Sequence, residues 1–202
     1  MLLTRILSAL VFAPALFWVL YKGEVWMDAT CAIISMLMLW EFFGMTRDQS
    51  LPIIQGAGYL LGGFLVAATY GWLIAPYSLV VLPLGVLLLL MLSLVKPDPI
   101  EGSITRVAIV AFGVLYCCAL FPFLARLRAM ESSGLQLSVI ALFCTWGSDT
   151  CAYFSGRFLG KHKLYPAISP KKTIEGAVGG IFGGIAVAFI IDAVLGSEIA
   201  TH

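Results

Sequence analysis

Between Leu51 and Val95 the sequence carries no Asp, Glu, Lys, Arg or His. At about 1.5 Å of rise per helical residue, that run is roughly twice what one crossing of a hydrocarbon layer about 30 Å thick requires. It must fold as two membrane-spanning helices, turning near Ala75-Pro76-Tyr77. The whole chain fits the same setting: of its 202 residues 61% are hydrophobic and 11% charged, and the mean hydropathy is +1.01. Such values belong to polytopic membrane proteins and exclude a soluble globular domain.

Seven apolar segments can be drawn, at about Ile6 to Tyr21, Val25 to Phe43, Ile53 to Ala75, Tyr77 to Val95, Val107 to Leu124, Leu135 to Phe154 and Gly176 to Leu195. None shows the alternation of a barrel strand, so the expected fold is all-α, a single domain over residues 1–202 with about seven transmembrane helices. The first segment follows a basic residue but precedes no small-residue cleavage pattern, and reads as a retained helix. With the N-terminus in the cytoplasm, Arg5, Arg47, Lys96, Arg106, Arg157, Lys161, Lys163, Lys171 and Lys172 fall inside, and only Lys22, Arg126 and Arg128 outside. The positive-inside rule favours this orientation, which makes the basic loop 156–175 cytoplasmic. Pro14, Pro83 and Pro122 fall within apolar segments and are expected to kink them. Gly176, Gly179, Gly180, Gly183 and Gly184 give small-xxx-small spacings that admit a close helix partner. Cys31, Cys117, Cys118, Cys144 and Cys151 lie in apolar surroundings without metal-ligand spacing and read as small core residues. The net charge of +1 says little about partners, and no nucleic acid is expected.

Most of the polar chemistry is gathered between Asp149 and Gly176. Ser169-Pro170 has the form of a helix opening, with Ser169 as N-cap and Pro170 at the first helical position. Lys171 and Lys172 would then stand in the first turn, where the positive end of the helix dipole disfavours each by about 0.3–1 kcal/mol. A phosphate would relieve that conflict, since free N–H groups, the dipole and two ammonium groups would converge on it. Anionic lipid headgroups at the cytoplasmic surface explain the same lysines equally well. Arg157, Lys161 and Lys163 extend the cationic field. Asp149 ends a charge-free stretch from Leu135 to Ser148, and a carboxylate there needs a cation: a metal ion, or an arginine or lysine from the following loop, with Arg157 two helical turns on and able to fold back. Glu41 and Glu175 sit near the ends of apolar segments, where interfacial carboxylates are common, and His162 reads as a solvated residue.

These residues carry a resemblance. The run Asp149-x-x-Ala-Tyr-x-x-Gly-Arg-x-x-Gly-Lys-x-x-Leu, followed by Ile-Ser-Pro-Lys-Lys-Thr-x-Glu-Gly-x-x-Gly-Gly180, closely resembles the bacterial phosphatidate cytidylyltransferases, or CDP-diglyceride synthetases. Arg5-Ile-Leu-Ser-Ala-Leu-Val and Trp40-Glu41-Phe are similar to that family's first two helices, so the likeness spans the chain. It implies transfer of a cytidylyl group from CTP to phosphatidic acid, releasing pyrophosphate and giving CDP-diacylglycerol, with Mg²⁺ required, in a bacterial cytoplasmic membrane. The lipid phosphate is itself the nucleophile, so the absence of a Ser/His/Asp or Cys/His arrangement fits. Carried over by position, the resemblance implies catalytic roles for Asp149, Lys171 and Lys172. It implies substrate contacts for Arg157, Lys161, Ser169, Thr173 and Glu175, and places the metal at Asp149. Cys151 stands where the family has a smaller residue such as glycine. Family members continue to a C-terminal stretch rich in Lys, Arg, Asp, Gly and His, which this sequence does not reach at His202; the expectation is a C-terminally shortened chain with an incomplete metal set.

Other classes compete with this reading. A small anion transporter would place its polar groups near the membrane midplane on broken helices, whereas these crowd one edge. A catalytically incomplete lipid-binding subunit and a CTP-dependent lipid-alcohol kinase are further alternatives. The resemblance and the glycine-lined last helix together suggest a homodimer.

Overall fold

The computed structural model describes residues 2–71, 78–94, 102–131 and 133–195, and the chain divides into two compact units, Met1–Ala129 and Met130–His202. The turn expected at Ala75-Pro76-Tyr77, Lys96 and His202 lie outside the described residues. The first unit contains α1 (Leu2–Lys22), α2 (Glu24–Met45), α3 (Pro52–Thr69), α4 (Ser78–Ser93), α5 (Ser103–Val114) and α6 (Phe123–Arg128). The second contains α7 (Gly134–Phe158), the strands β1 (Lys163–Tyr165) and β2 (Ser169–Thr173), and α8 (Ile174–Leu195).

The all-α expectation holds, and the described part of each apolar segment is mostly helix. Among the described residues four stretches are long and apolar enough to cross a membrane: Glu24–Met45, Pro52–Thr69, Ser103–Arg128 and Ile174–Leu195. Phe12–Lys22 and Val80–Ser93 are shorter apolar helices. Helix α7 has the length, at 25 residues, but Thr145, Ser148, Asp149 and Thr150 dilute its apolar character.

In the first unit, burial follows helical periodicity. On α2 the buried residues Met27, Cys31, Ser35, Leu39 and Phe43 recur at every fourth position, one stripe flanked by half-buried Ala32, Met36 and Met38, with Ile33, Leu37 and Trp40 exposed. Leu39 and Phe43 of that stripe share one buried cluster with Ile54, Leu61 and Leu65 of α3 and Val107, Val110 and Val114 of α5. Gly62 is required at the contact: a Cβ there would lie 2.9 Å from Cys118 Sγ and 2.9 Å from Leu39 Cδ2. Helix α5 runs through a π-helical turn, Leu115–Leu120, directly before Pro122. The wider turn is a usual way for a helix to absorb a proline, which lacks an N–H and crowds the preceding carbonyl.

Two arginines of this unit close helix ends. Arg128 Nε donates to the Leu20 carbonyl at 2.6 Å and its Nη2 to the Tyr21 carbonyl at 3.2 Å. Arg126 Nη1 donates to the Thr69 carbonyl at 3.3 Å. The last carbonyls of a helix lack intrahelical partners and carry the negative end of its dipole, so each arginine is well placed. The turn between α1 and α2 is shaped by Gly23, whose φ of +64° suits glycine; a Cβ there would also meet the Arg128 guanidinium at 2.7 Å. Trp18 and Trp26 pack edge to face beside this turn with ring centres 5.0 Å apart, aromatic anchors of the kind found at membrane interfaces.

In the second unit α7 and α8 run antiparallel along a seam of small residues. Gly180 faces Ala152 and Ser148, Gly183 faces Cys151, and Gly184 faces Cys144, whose thiol donates to the Gly184 carbonyl at 3.4 Å. At the far end Gln136 Nε2 donates to Asp192 Oδ1 at 3.2 Å. The partner of the glycine face is therefore α7 of the same chain, which removes that face as support for a dimer contact.

The first helical turn expected at Ser169-Pro170-Lys171-Lys172 is not formed. Ser169–Thr173 is strand β2, paired antiparallel with β1 in a two-stranded sheet, with Lys163 opposite Thr173 and Tyr165 opposite Ser169. Helix α8 begins at Ile174, because Thr173 rather than Ser169 supplies the cap: its Oγ1 accepts the Gly176 N–H at 3.1 Å.

The seam gives a stability test. Gly183→Val forces β-carbons against Cys151, which cannot swing aside, and should cost on the order of 1–3 kcal/mol. Gly63→Ala on α3 meets open space and should be neutral or stabilising by up to about 1 kcal/mol. Thermal unfolding of the detergent-solubilised protein measures both; equal stability of the two variants would refute the tight seam.

Candidate functional site

The base of the hairpin is built around a threonine in a socket of glycines. Thr173 is buried, 7% exposed, and its Oγ1 would stand 3.0 Å from a Cβ at Gly156, 2.8 Å from one at Gly160 and 3.0 Å from one at Gly176. At Gly176 an added Cβ would also crowd backbone, 2.9 Å from the Ala152 carbonyl oxygen and 3.1 Å from the Gly156 Cα. Three glycines of the polar segment thus serve one purpose. They let the end of α7 and the start of α8 approach until the strand between them is gripped at its C-terminal residue.

A second clasp closes the loop. The His162 N–H donates to both carboxylate oxygens of Glu175, at 3.2 and 3.3 Å, and His162 Nδ1 lies 2.7 Å from Glu175 Oε1. A carboxylate only accepts, so Nδ1 carries the proton in this contact. The Ile174 N–H donates to the His162 carbonyl at 2.9 Å, completing the ring. The apolar run of α8 starts at Gly176, so Glu175 stands ahead of it on the hairpin side, in the first helical turn where the dipole favours an anion. Its own backbone N–H and then the His162 ring hold its carboxyl low, at about 2.

The structure distributes the expected residues unevenly. Lys171 and Lys172 lie exposed on β2, with Ser169 partly covered at its start. Lys161 is exposed between α7 and β1. Arg157, in the last turn of α7, donates from Nη1 to the Tyr153 hydroxyl at 3.1 Å. Asp149 is exposed on α7, about 12 Å before Arg157 along the helix axis. Arg157 does not fold back to it, and among the described residues no ion pair engages Asp149. Glu41 lines a cavity of about 600 Å³ in the first unit with Trp40, Arg47, Gln55 and Tyr59.

His162 is the residue that reading the sequence missed. It lies among cations with its side chain 75% exposed, and nothing in local spacing marks it as the partner of a carboxylate 13 residues on. Only the antiparallel pairing of β1 and β2 brings them together.

A metal needs convergent donors, and among the described residues no three His, Cys, Asp or Glu side chains come together. Asp149 supplies one carboxylate, and Mg²⁺ commonly takes one or two from protein and fills the rest of its shell with water and substrate phosphates.

What the arrangement does supply is a rigidly based, outward-facing set of cations next to a membrane-length helix. The sequence profile of the cytidylyltransferase family matches residues 3–201. The chain belongs to that family. Among its relatives is a phosphatidate cytidylyltransferase of Staphylococcus haemolyticus strain JCSC1435, 30% identical over 195 residues that cover 94% of this chain and 70% of that protein. The phosphatidate cytidylyltransferase of Bacillus subtilis strain 168 is 30% identical over 197 residues, 96% of this chain and 71% of the relative. That of Staphylococcus aureus strain COL is 32% identical over 189 residues, with 92% and 68% covered. The cytidylyltransferase family likeness thus runs through both compact units, not the hairpin alone.

The clasp has a pH signature. A carboxyl whose pKa is lowered on folding contributes above its ordinary value and loses that contribution as pH falls through the lowered one. The His162 amide resonance should therefore keep its position through the usual carboxylate range near about 4.3 and move only toward about pH 2. A midpoint near the usual value, in the protein with labelled histidine, would mean that the clasp does not form.

Proposed function

We propose that this cytidylyltransferase transfers the cytidylyl group of CTP to phosphatidic acid, giving CDP-diacylglycerol and pyrophosphate for phospholipid synthesis. The observation that carries this reading is similarity to phosphatidate cytidylyltransferases over 96% of this chain and 71% of the Bacillus subtilis relative, together with a cationic hairpin joined directly to a membrane-length helix. An anion transporter is not favoured, because family and relatives are transferases and the polar groups sit at a helix end.

In this reaction a phosphate oxygen of phosphatidic acid attacks the α-phosphorus of CTP. The new P–O bond forms as the bond to the β-phosphate oxygen breaks, and pyrophosphate leaves with that electron pair. No side-chain nucleophile is needed. Both reactants are polyanions, so the task of the protein is to neutralise and align them. Lys171 and Lys172, held on a strand, suit the phosphates of CTP and the lipid. Arg157 and Lys161 suit auxiliary phosphate contacts, and Ser169 presents a hydroxyl at the start of the same strand. Thr173 and Glu175 contribute by holding the hairpin, since both side chains are engaged within the protein. Mg²⁺ belongs to this reading through the family resemblance, with Asp149 as a single candidate ligand, and no step above depends on it.

The reading includes a bacterial cytoplasmic membrane, about seven spans with α1, α4 and α7 completing the four membrane-length stretches, and a cytoplasmic N-terminus and hairpin. Arg126 and Arg128, counted on the outside, are engaged as caps of helix ends, which gives them a structural reason to be there. A homodimer rests on the resemblance alone.

The test is reconstitution of the full chain with labelled CTP, phosphatidic acid and Mg²⁺. Labelled CDP-diacylglycerol is the expected product, and Lys172→Ala should lower its rate at least about 100-fold, the scale of losing one electrostatic stabiliser. Turnover of Lys172→Ala at the unsubstituted rate would remove that lysine from the site.

A further inference from the structure

The reaction uses the cations of the hairpin but leaves its tip unexplained. The tip, Leu164-Tyr165-Pro166-Ala167-Ile168, contains no charged residue and points out of its own unit: Ile168 is 82% exposed, Tyr165 57% and Leu164 48%. The stem bears exposed Lys163 on one strand and Lys171 and Lys172 on the other. The carboxylate of Glu175 at the base of this stem is held by His162. The hairpin is thus an apolar tip on a cationic stem.

Water alone is a poor setting for such a tip. The boundary of an anionic bilayer is a good one, with ammonium groups at the lipid phosphates and aliphatic and tyrosyl side chains just beneath. The reach is short enough. Strand β2 passes without a linker into α8, and Ile168 stands six residues before Ile174, so the apolar tip begins within about 20 Å of the start of α8. The Thr173 socket and the His162–Glu175 clasp fix the base, so the hairpin meets the surface as one piece.

We infer that the hairpin is a membrane-surface anchor, with Leu164, Tyr165 and Ile168 seated in the interface of an anionic bilayer and its lysines at the level of the lipid phosphates. It rests on the reading that α8 crosses the bilayer, and it adds to the proposed activity a reason why that chemistry meets a lipid. The anchor puts Lys171 and Lys172 at the depth where phosphatidic acid presents its phosphate, while CTP arrives from water.

Site-directed spin labelling of the full chain in vesicles tests this. Ile168→Cys is conservative at so exposed a position, and the native cysteines are buried or partly buried, so labelling of the unsubstituted chain sets the background. A second label at Phe182→Cys, on an exposed face of α8, reports whether that helix is in the bilayer. In vesicles containing phosphatidylglycerol, the label at 168 should be more accessible to dissolved oxygen than to a water-soluble nickel chelate. In phosphatidylcholine vesicles, or at high salt, the balance should move toward the chelate. A label at 168 that the chelate reaches freely in phosphatidylglycerol vesicles, or one shielded from both reagents by other protein, overturns the anchor while an oxygen-accessible label at 182 keeps α8 in the membrane. A chelate-accessible label at 182 overturns the membrane reading itself.

Discussion

The close approach of α7 and α8 is the constraint from which the rest of the polar region follows. Two helices can run this near to each other only where side chains are absent or small, and Gly176, Gly180, Gly183 and Gly184 meet Ala152, Ser148, Cys151 and Cys144. In lipid, where apolar side chains gain little by leaving one hydrocarbon for another, such packing and a few hydrogen bonds are what hold helices together. The contact extends to the ends of both helices, and there it becomes the socket of Gly156, Gly160 and Gly176 around Thr173. The hairpin has little choice of direction once that socket is filled.

Seen from the hairpin, charge has been divided between binding and building. Glu175, His162, Arg126 and Arg128 are spent on the protein itself, closing a loop or capping helix ends. Lys161, Lys163, Lys171 and Lys172 are left facing outward. A cation that stabilises its own fold is already neutralised in part, whereas one held on a short strand above a rigid base keeps its field for a phosphate. Placing the lysines on β2 also removes the conflict with a helix dipole: the group that stands in the first turn of α8 is the carboxylate of Glu175, which the dipole favours.

The misplaced helix start is instructive. Ser169-Pro170 reads locally as a helix opening, and serine is as good a cap as threonine. The choice was made by contacts distant in sequence: β1 pairs with Ser169–Thr173, and the glycine socket accepts the Thr173 side chain. Asp149 likewise looked as though it needed a cation nearby, but it is exposed on α7 and Arg157 bonds to Tyr153 instead.

The sequence by itself determined that the chain is helical and built for a membrane, because uninterrupted apolar runs leave the backbone no partners but its own. It also marked Asp149 to Gly176 as the place of the chemistry, since charges are too costly in such a chain to be gathered without use, and its motifs carried the family. Tertiary structure alone decided that Ser169–Thr173 is strand, that the glycines of α8 are filled by α7 of the same chain, and that His162 clasps Glu175. Each of these depends on residues many positions apart meeting in space, and local spacing carries no record of such meetings.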